Sequence, residues 1–165
     1  IQLESEPGQG TRIIVKLPLT LAIIEGLIVR VDEDQFIFPL ASVDECIEIK
    51  REDRINQSDW NYIRIRGHLV PYIRLREWSD RHGDAPDIEQ MVITSVQGKQ
   101  LGFVVDDVIG EHQTVIKPLG QLFGTIQGIS GASILGNGSL ALILDVPQLM
   151  ESYVNAENFP TYQGN

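Results

Sequence analysis

Short runs of Val, Ile and Leu recur along this chain, with polar or glycine-bearing turns between them. "TRIIVKLPL", "EGLIVRVDEDQFIFPL", "VDECIEIKRE", "NYIRIRGHLVPYIRL", "EQMVITSVQGKQLGFVVDDVI", "HQTVIKPL" and "GSLALILDV" all have this character. Such spacing predicts an all-β fold of many short strands. In "NYIRIRGHLV" the alternation puts Ile63 and Ile65 on one face and Arg64 and Arg66 on the other, as in a sheet with one wet side. "VRVDEDQFIF" reads as strand, acidic turn and strand, with Asp32 to Gln35 at the turn. "VITSVQGKQLGFVV" repeats it around Gln97 to Gln100, and each hairpin leads into a further strand, "ECIEI" and "TVIKPL". The repetition predicts two small barrels of similar build.

Helical signal is confined to two stretches. "PYIRLREWSDR" offers Pro71 at an entry with Ile73, Leu75 and Trp78 loosely spaced, and "DVPQLMESYV" offers Pro147 in a first turn, as a closing helix would. "NAENFPTYQGN" has no period and is expected to fray. Within "ISGASILGNGSLALILDV", Asn137 and Gly138 are expected to turn a hairpin, with Leu140, Leu142 and Leu144 on one face and Ile134 or Leu135 opposite, all facing core. Strands rather than a helix flank that loop, so it lacks the context of a phosphate site.

Composition narrows the function. The chain has 165 residues, 42% of them hydrophobic, enough for a core in one domain or two small ones. A net charge of -10 and scattered Lys and Arg leave no footprint for a nucleic-acid backbone. One cysteine, Cys46, cannot make an internal disulfide, and a cytosolic protein is the simplest expectation. No apolar run approaches the roughly 20 residues that span a bilayer, so no direct membrane insertion is expected.

Candidate chemistry is thin. Gly8 and Gly10 lack the spacing of a phosphate loop and read as a turn. His68, His82 and His112 show no ligand spacing with one another or with Cys46, so they are expected in exposed loops or strands, with no metal. Cys46 reads as a small buried thiol. Asp106, Asp107 and the trio Asp32, Glu33 and Asp34 read as solvated turn acids, lacking the ligand pattern of a calcium loop. No catalytic residue and no cofactor is expected. Glu45 and Arg66 each lie in a predicted strand of the first barrel, where a carboxylate and a guanidinium could lock two strands together. An acidic, strand-rich pair of barrels of this kind points to a module that works by binding.

The run "LGFVVDDVIGEHQTVIKPLG", followed by "IQGISGASILGNGSLALILDV", resembles the C-terminal regulatory domain of the chemotaxis histidine kinases of the CheA family, which is itself similar to the adaptor CheW. "GLIVRVDEDQFIFPLASVDECIEI" and "IRGHLVPYIRLREW" extend the likeness over nearly all of residues 20 to 151. "ESEPGQGTRIIVKLPLTLAII" resembles the last glycine-rich loop and final strand of a histidine-kinase ATP-binding domain. The resemblance implies a kinase tail over 1–19, a CheW-like regulatory domain over 20–151 and a flexible tail over 152–165. It implies two intertwined five-stranded SH3-like barrels with short helices and a hydrophobic groove between them.

By the same resemblance, the domain couples adaptor CheW and the cytoplasmic tip of chemoreceptors to kinase control. It would be cytoplasmic, recruited to chemoreceptor arrays at the inner membrane, monomeric in isolation and assembled into rings or arrays. Glu45 and Arg66 stand where the adaptor pattern carries an ion pair at a buried edge. The expected partner contacts are Ile37, Pro39, Val70 and Ile73 near the ends of the first barrel, and Leu122, Phe123 and Ile126 in the second. Core packing is the competing expectation for these apolar positions. A free-standing CheW-like adaptor, or an enzyme built on paired barrels, are the rival readings.

Overall fold

The computed structural model describes residues 2–15, 22–50, 55–57, 60–117 and 126–155. A hairpin of β1 (Gln2–Glu6) and β2 (Gly10–Ile14) precedes the main body, turning at Gly8 with a left-handed φ of 85°. Two barrels make up that body. Strands β3 (Ile23–Val31) and β4 (Asp34–Pro39) form the first hairpin, and a 3-10 turn at Leu40–Ser42 leads to β5 (Val43–Lys50). Next come β6 (Ile55–Gln57), β7 (Trp60–Ile65), β8 (His68–Arg74) and the one-turn helix α1 (Leu75–Trp78). The second half runs β9 (Ile88–Val96), β10 (Lys99–Val105), β11 (Asp107–Val115), β12 (Ile129–Ile134), β13 (Leu140–Leu144) and helix α2 (Val146–Asn155).

The barrels do not follow the two halves of the sequence. One sheet is ordered β11-β3-β4-β13-β12 and the other β5-β9-β10-β8-β7-β6. Each hairpin thus hands its following strand to the other barrel: β5 pairs antiparallel with β9, and β11 pairs antiparallel with β3. This exchange intertwines the barrels and corrects the assignment of Ile37 and Pro39 to the same barrel as Val70 and Ile73. The strands β5 to β10 make a central barrel that is continuous in sequence. The flanking barrel is assembled from β3 and β4 together with β11 to β13, and Lys117 bridges Ala132 to join its two edges. The central barrel carries a sixth, short strand, β6, beyond the expected five.

The apolar runs are nearly continuous because the hairpin strands bury both faces. On β3, Ile28 points into the flanking barrel with Ile37, Ala141 and Ile143. Its neighbours Leu27, Val29 and Val31 point the other way, into a larger cluster between the barrels. On β9 and β10, Met91, Ile93 and Val104 fill the central barrel with Tyr72 and Ile63, while Val92, Leu101, Phe103 and Val105 face the interbarrel cluster. Across that interface the Phe38 and Phe103 rings meet at a 60° tilt with centroids 5.1 Å apart, a contact worth about 0.5–1.5 kcal/mol beyond its buried area. Most of the space expected as an open groove is therefore packed core.

Local chemistry sets the ends of the elements. Asp145 caps α2, its Oδ1 accepting the Gln148 N–H at 3.0 Å, and Pro147 sits in the first turn. Val146, Leu149 and Met150 of α2 then seal the interbarrel cluster. The stretch after Pro71 is not a helix entry, since Pro71 lies inside β8 opposite Tyr62 and only Leu75–Trp78 is helical. In the β12–β13 hairpin the central turn residues are Gly136 and Asn137, closed by a bond from Gly138 N–H to Leu135 carbonyl, with Gly138 alone left-handed at a φ of 83°. Leu142 and Leu144 join the interbarrel cluster, but Leu140 at the strand's start is 61% exposed, and its cross-strand partner Ile134 is exposed as well. Cys46 is exposed rather than packed, and Asp106 is enclosed rather than solvated.

Candidate functional site

Between the barrels, beside the packed cluster, a surface cavity of about 810 Å³ remains open. Phe36 of β4 and Leu142 of β13 form its wall on the flanking barrel, and Trp78 of α1 stands opposite, meeting Phe36 edge-on with centroids 6.3 Å apart. Leu149 of α2 closes the back. Gly128 makes this close packing feasible: a Cβ there would fall 2.5 Å from Leu149 Cδ2 and 2.9 Å from Trp78, and its φ of 84° suits glycine alone. A second cavity of about 370 Å³ lies on the other side of Trp78 and Leu149, against Tyr72, Arg74 and Tyr153.

Ion pairs surround α1, and one of them, Arg81 with Asp34, lines the cavity. Arg76 of α1 pairs with Asp106, the single residue between β10 and β11, and both side chains are about nine-tenths buried. Asp106 Oδ2 also accepts the backbone N–H of Asp32 at 2.7 Å, so one carboxylate ties α1 to the β3–β4 turn. Just beyond α1, Arg81 Nε donates to Asp34 Oδ2 at 2.6 Å. Within the central barrel, Arg74 donates to the buried Glu89 at 2.7 Å. Burial pushes the Tyr153 phenol up to about 12, helped by its neighbours Tyr62 and Tyr72. The Cys46 thiol is also pushed up, by partial enclosure first and then by the carboxylates of Glu111 and Glu45.

Glu45 and Arg66 meet, with Arg66 Nη2 donating to Glu45 Oε2 at 2.7 Å. The site is more open than a buried edge, because the Arg66 side chain is 78% exposed. Arg66 and Gly67 are both left-handed, with φ of 48° and 87°, and turn β7 into β8.

Of the expected contact residues, Ile37 is fully enclosed inside the flanking barrel and Val70 inside the central one. Pro39 and Ile73 are half-buried, Ile73 against the interbarrel cluster. Ile126 is 42% exposed and lines the cavity. Leu122 and Phe123 lie outside the described residues, as do Ile1, 16–21 and 156–165. The exposed apolar residues not foreseen include the neighbours Ile23 and Val115 on the flanking barrel, Leu69 and Ile88 on the central one, and Leu140 at the cavity. The pairing of Ile23 with Val115 comes from the exchanged strand β11, so only the fold reveals it.

Among the described residues, no group of His, Cys, Asp and Glu is arranged to hold a metal ion, and no helix is long and apolar enough to cross a membrane. The arrangement offers apolar surfaces with polar borders, the general make-up of a binding surface.

The CheW-like domain profile matches residues 25–154. The chain is 41% identical over 154 residues to the chemotaxis protein CheA of Treponema pallidum, covering 92% of this chain and 19% of that protein. It is 38% identical over 152 residues to CheA of Bacillus subtilis, covering 91% of this chain and 23% of that protein. The chain thus spans about a fifth of the length of these curated relatives. Among solved structures, the scaffolding protein TtCheW of Thermoanaerobacter tengcongensis superposes with a TM-score of 0.62 at 15% identity, over 74% of this chain and 89% of that one, a likeness of fold.

Proposed function

The chain belongs to the CheW-like domain family, and from that premise we propose that it is the regulatory scaffold portion of a chemotaxis histidine kinase. In this reading it lies at the C-terminal end of the kinase, preceded by the tail of the ATP-binding domain over 1–19 and followed by a tail that begins beyond α2 rather than at the expected 152, because the helix runs on to Asn155 and packs Tyr153 against the core. The β1–β2 hairpin ahead of the barrels and relatives named CheA support the kinase over a free adaptor. Catalysis would then reside in other parts of the kinase, and this domain would relay receptor state to them from the cytoplasm, within arrays at the inner membrane.

The observation that carries the reading is the interbarrel cavity with its apolar walls. A chemoreceptor tip is helical, and an amphipathic helix docks by laying apolar anchors into such a groove. CheW would dock elsewhere, at an apolar barrel edge such as Ile23 with Val115. Two distinct surfaces let one monomer join two neighbours, which is what a ring or an extended array requires.

Fluorescence anisotropy with labelled CheW and with a labelled receptor tip tests both contacts. Leu140→Asp should weaken binding of the tip and spare CheW, and Val115→Asp the reverse, with both variants keeping the wild-type circular dichroism. Saturable binding lost in this pattern supports the reading. Absence of binding by either partner at high micromolar concentration refutes it.

A further inference from the structure

We infer that the helix taken by the interbarrel cavity, a reading on which this inference rests, carries a Lys or Arg beside its apolar stripe, and that Asp34 and Asp80 recognise that cation. Among the described residues lining the cavity, the charged ones are Asp34, Asp80 and Arg81. They form one border, since Arg81 is bonded to Asp34 and adjoins Asp80 in sequence. A different border is formed by Gln127, whose Nε2 donates to Ser152 Oγ at 2.9 Å, and it is uncharged. Charge therefore lies on one side of the apolar wall.

That side is net negative. Two carboxylates face one guanidinium, and the guanidinium is already engaged: Arg81 Nε and Nη2 lie 2.6 and 2.5 Å from Asp34 Oδ2. Asp80 is held outward at 91% side-chain exposure, with a left-handed φ of 55°, and its carboxylate lies 3.8 Å from the His82 ring. The chain as a whole carries -10, which adds a field of the same sign. An acidic flank on an incoming helix would meet like charge at this border, while a basic flank would gain a partner as the apolar stripe excludes water. Because the Gln127–Ser152 border has no charge, the same contact distinguishes one way of laying the helix from the other.

The test uses the full chain and three synthetic amphipathic peptides with the same apolar stripe, flanked by Lys, Gln or Glu. Labelled peptide is titrated at low salt and near 1 M salt, where the screening length falls to about 3 Å. The expected result at low salt is Lys-flanked binding about tenfold tighter than Glu-flanked, a preference that shrinks several-fold at high salt. Asp34→Asn with Asp80→Asn leaves Arg81 as the charged residue of this border, so it should reverse the preference toward the Glu-flanked peptide and leave the Gln-flanked peptide unchanged. Asp80→Asn alone, at an exposed position, should reduce it without any risk to folding. A charge-matched control away from the cavity, Glu25→Gln with Glu48→Gln, should keep it.

Equal binding of the three peptides overturns the inference while leaving the groove reading intact. An equal change of preference in the control overturns it too, by assigning the effect to net charge. Failure of every peptide to bind removes the groove reading and this inference together.

Discussion

Arg66 Nη2 stands 2.7 Å from Glu45 Oε2, although β5, which carries Glu45, is separated from β8 by two strands in the sheet order. In a flat sheet three strand spacings would put β5 and β8 roughly 14 Å apart. The pair is therefore a seam that exists because the sheet curls. Exposed pairs of this kind contribute below about 1 kcal/mol. Glu45→Gln should lower thermal stability slightly at low salt and not at all at high salt. Arg66→Gly should match wild type, because removal of the left-handed strain at a φ of 48° offsets the lost pair. A large, salt-independent loss in Glu45→Gln would contradict the seam reading.

The Arg76 pair with Asp106 is a different case, since both side chains are about nine-tenths buried. Arg76→Met should cost about 3–5 kcal/mol in urea unfolding, because it strands a buried carboxylate. Adding Asp106→Leu should recover part of that loss, though the Asp32 N–H then lacks its acceptor. A loss under about 1 kcal/mol in Arg76→Met would mean that water reaches Asp106.

Two glycines separate packing from turn chemistry. A Cβ at Gly26 would collide with Ile37 Cγ2, inside the flanking barrel, whereas one at Gly136 meets nothing within 4 Å. Gly26→Ala should destabilise by about 1–3 kcal/mol. Gly136→Ala should be close to neutral, and equal melting temperatures for the two variants would show that the barrel interior yields to the extra methyl.

Tyr153 links stability to pH at the alkaline end. Its phenol sits near 12 when folded and near 10 when unfolded, so the folded state holds the proton more tightly. That contribution is complete below about pH 10 and is lost as the pH rises toward 12. Urea midpoints measured from about pH 9 to 12 should fall more steeply for wild type than for Tyr153→Phe. Parallel curves would show that Tyr153 is solvated.

The sequence made the short strands, the two similar hairpins and the capped closing helix legible, because alternation and capping are local signals. The intertwining was legible only through the family resemblance and not in the alternation, since β5 carries the same pattern whether it pairs with β4 or with β9, and β9 begins 38 residues after β5 ends at Lys50. Leu140 continues the apolar alternation of Leu142 and Leu144, yet it emerges beyond the packed cluster at the hairpin's end. Asp106 looks like a turn acid until Arg76, thirty residues earlier, is brought against it. Pro71 suggested a helix entry by its usual role, but β8 accommodates it within a strand. The cavity itself arises where α1, β4, β13 and α2 meet, and none of these elements signals it alone.

The exchange of β5 and β11 also orders events in time. Of the barrel strands, β3 and β4 leave the ribosome first, yet their partners β11 and β13 are made after the whole central barrel. The central barrel, continuous from β5 to β10, has every strand available before the flanking barrel has its third. The waiting hairpin need not stay bare. Leu27, Val29, Phe36 and Phe38 already face Val92, Leu101 and Phe103, so the nascent β3–β4 pair has a finished surface to rest on. Vectorial synthesis thus makes the central barrel available, complete in its strands, before its sibling can close.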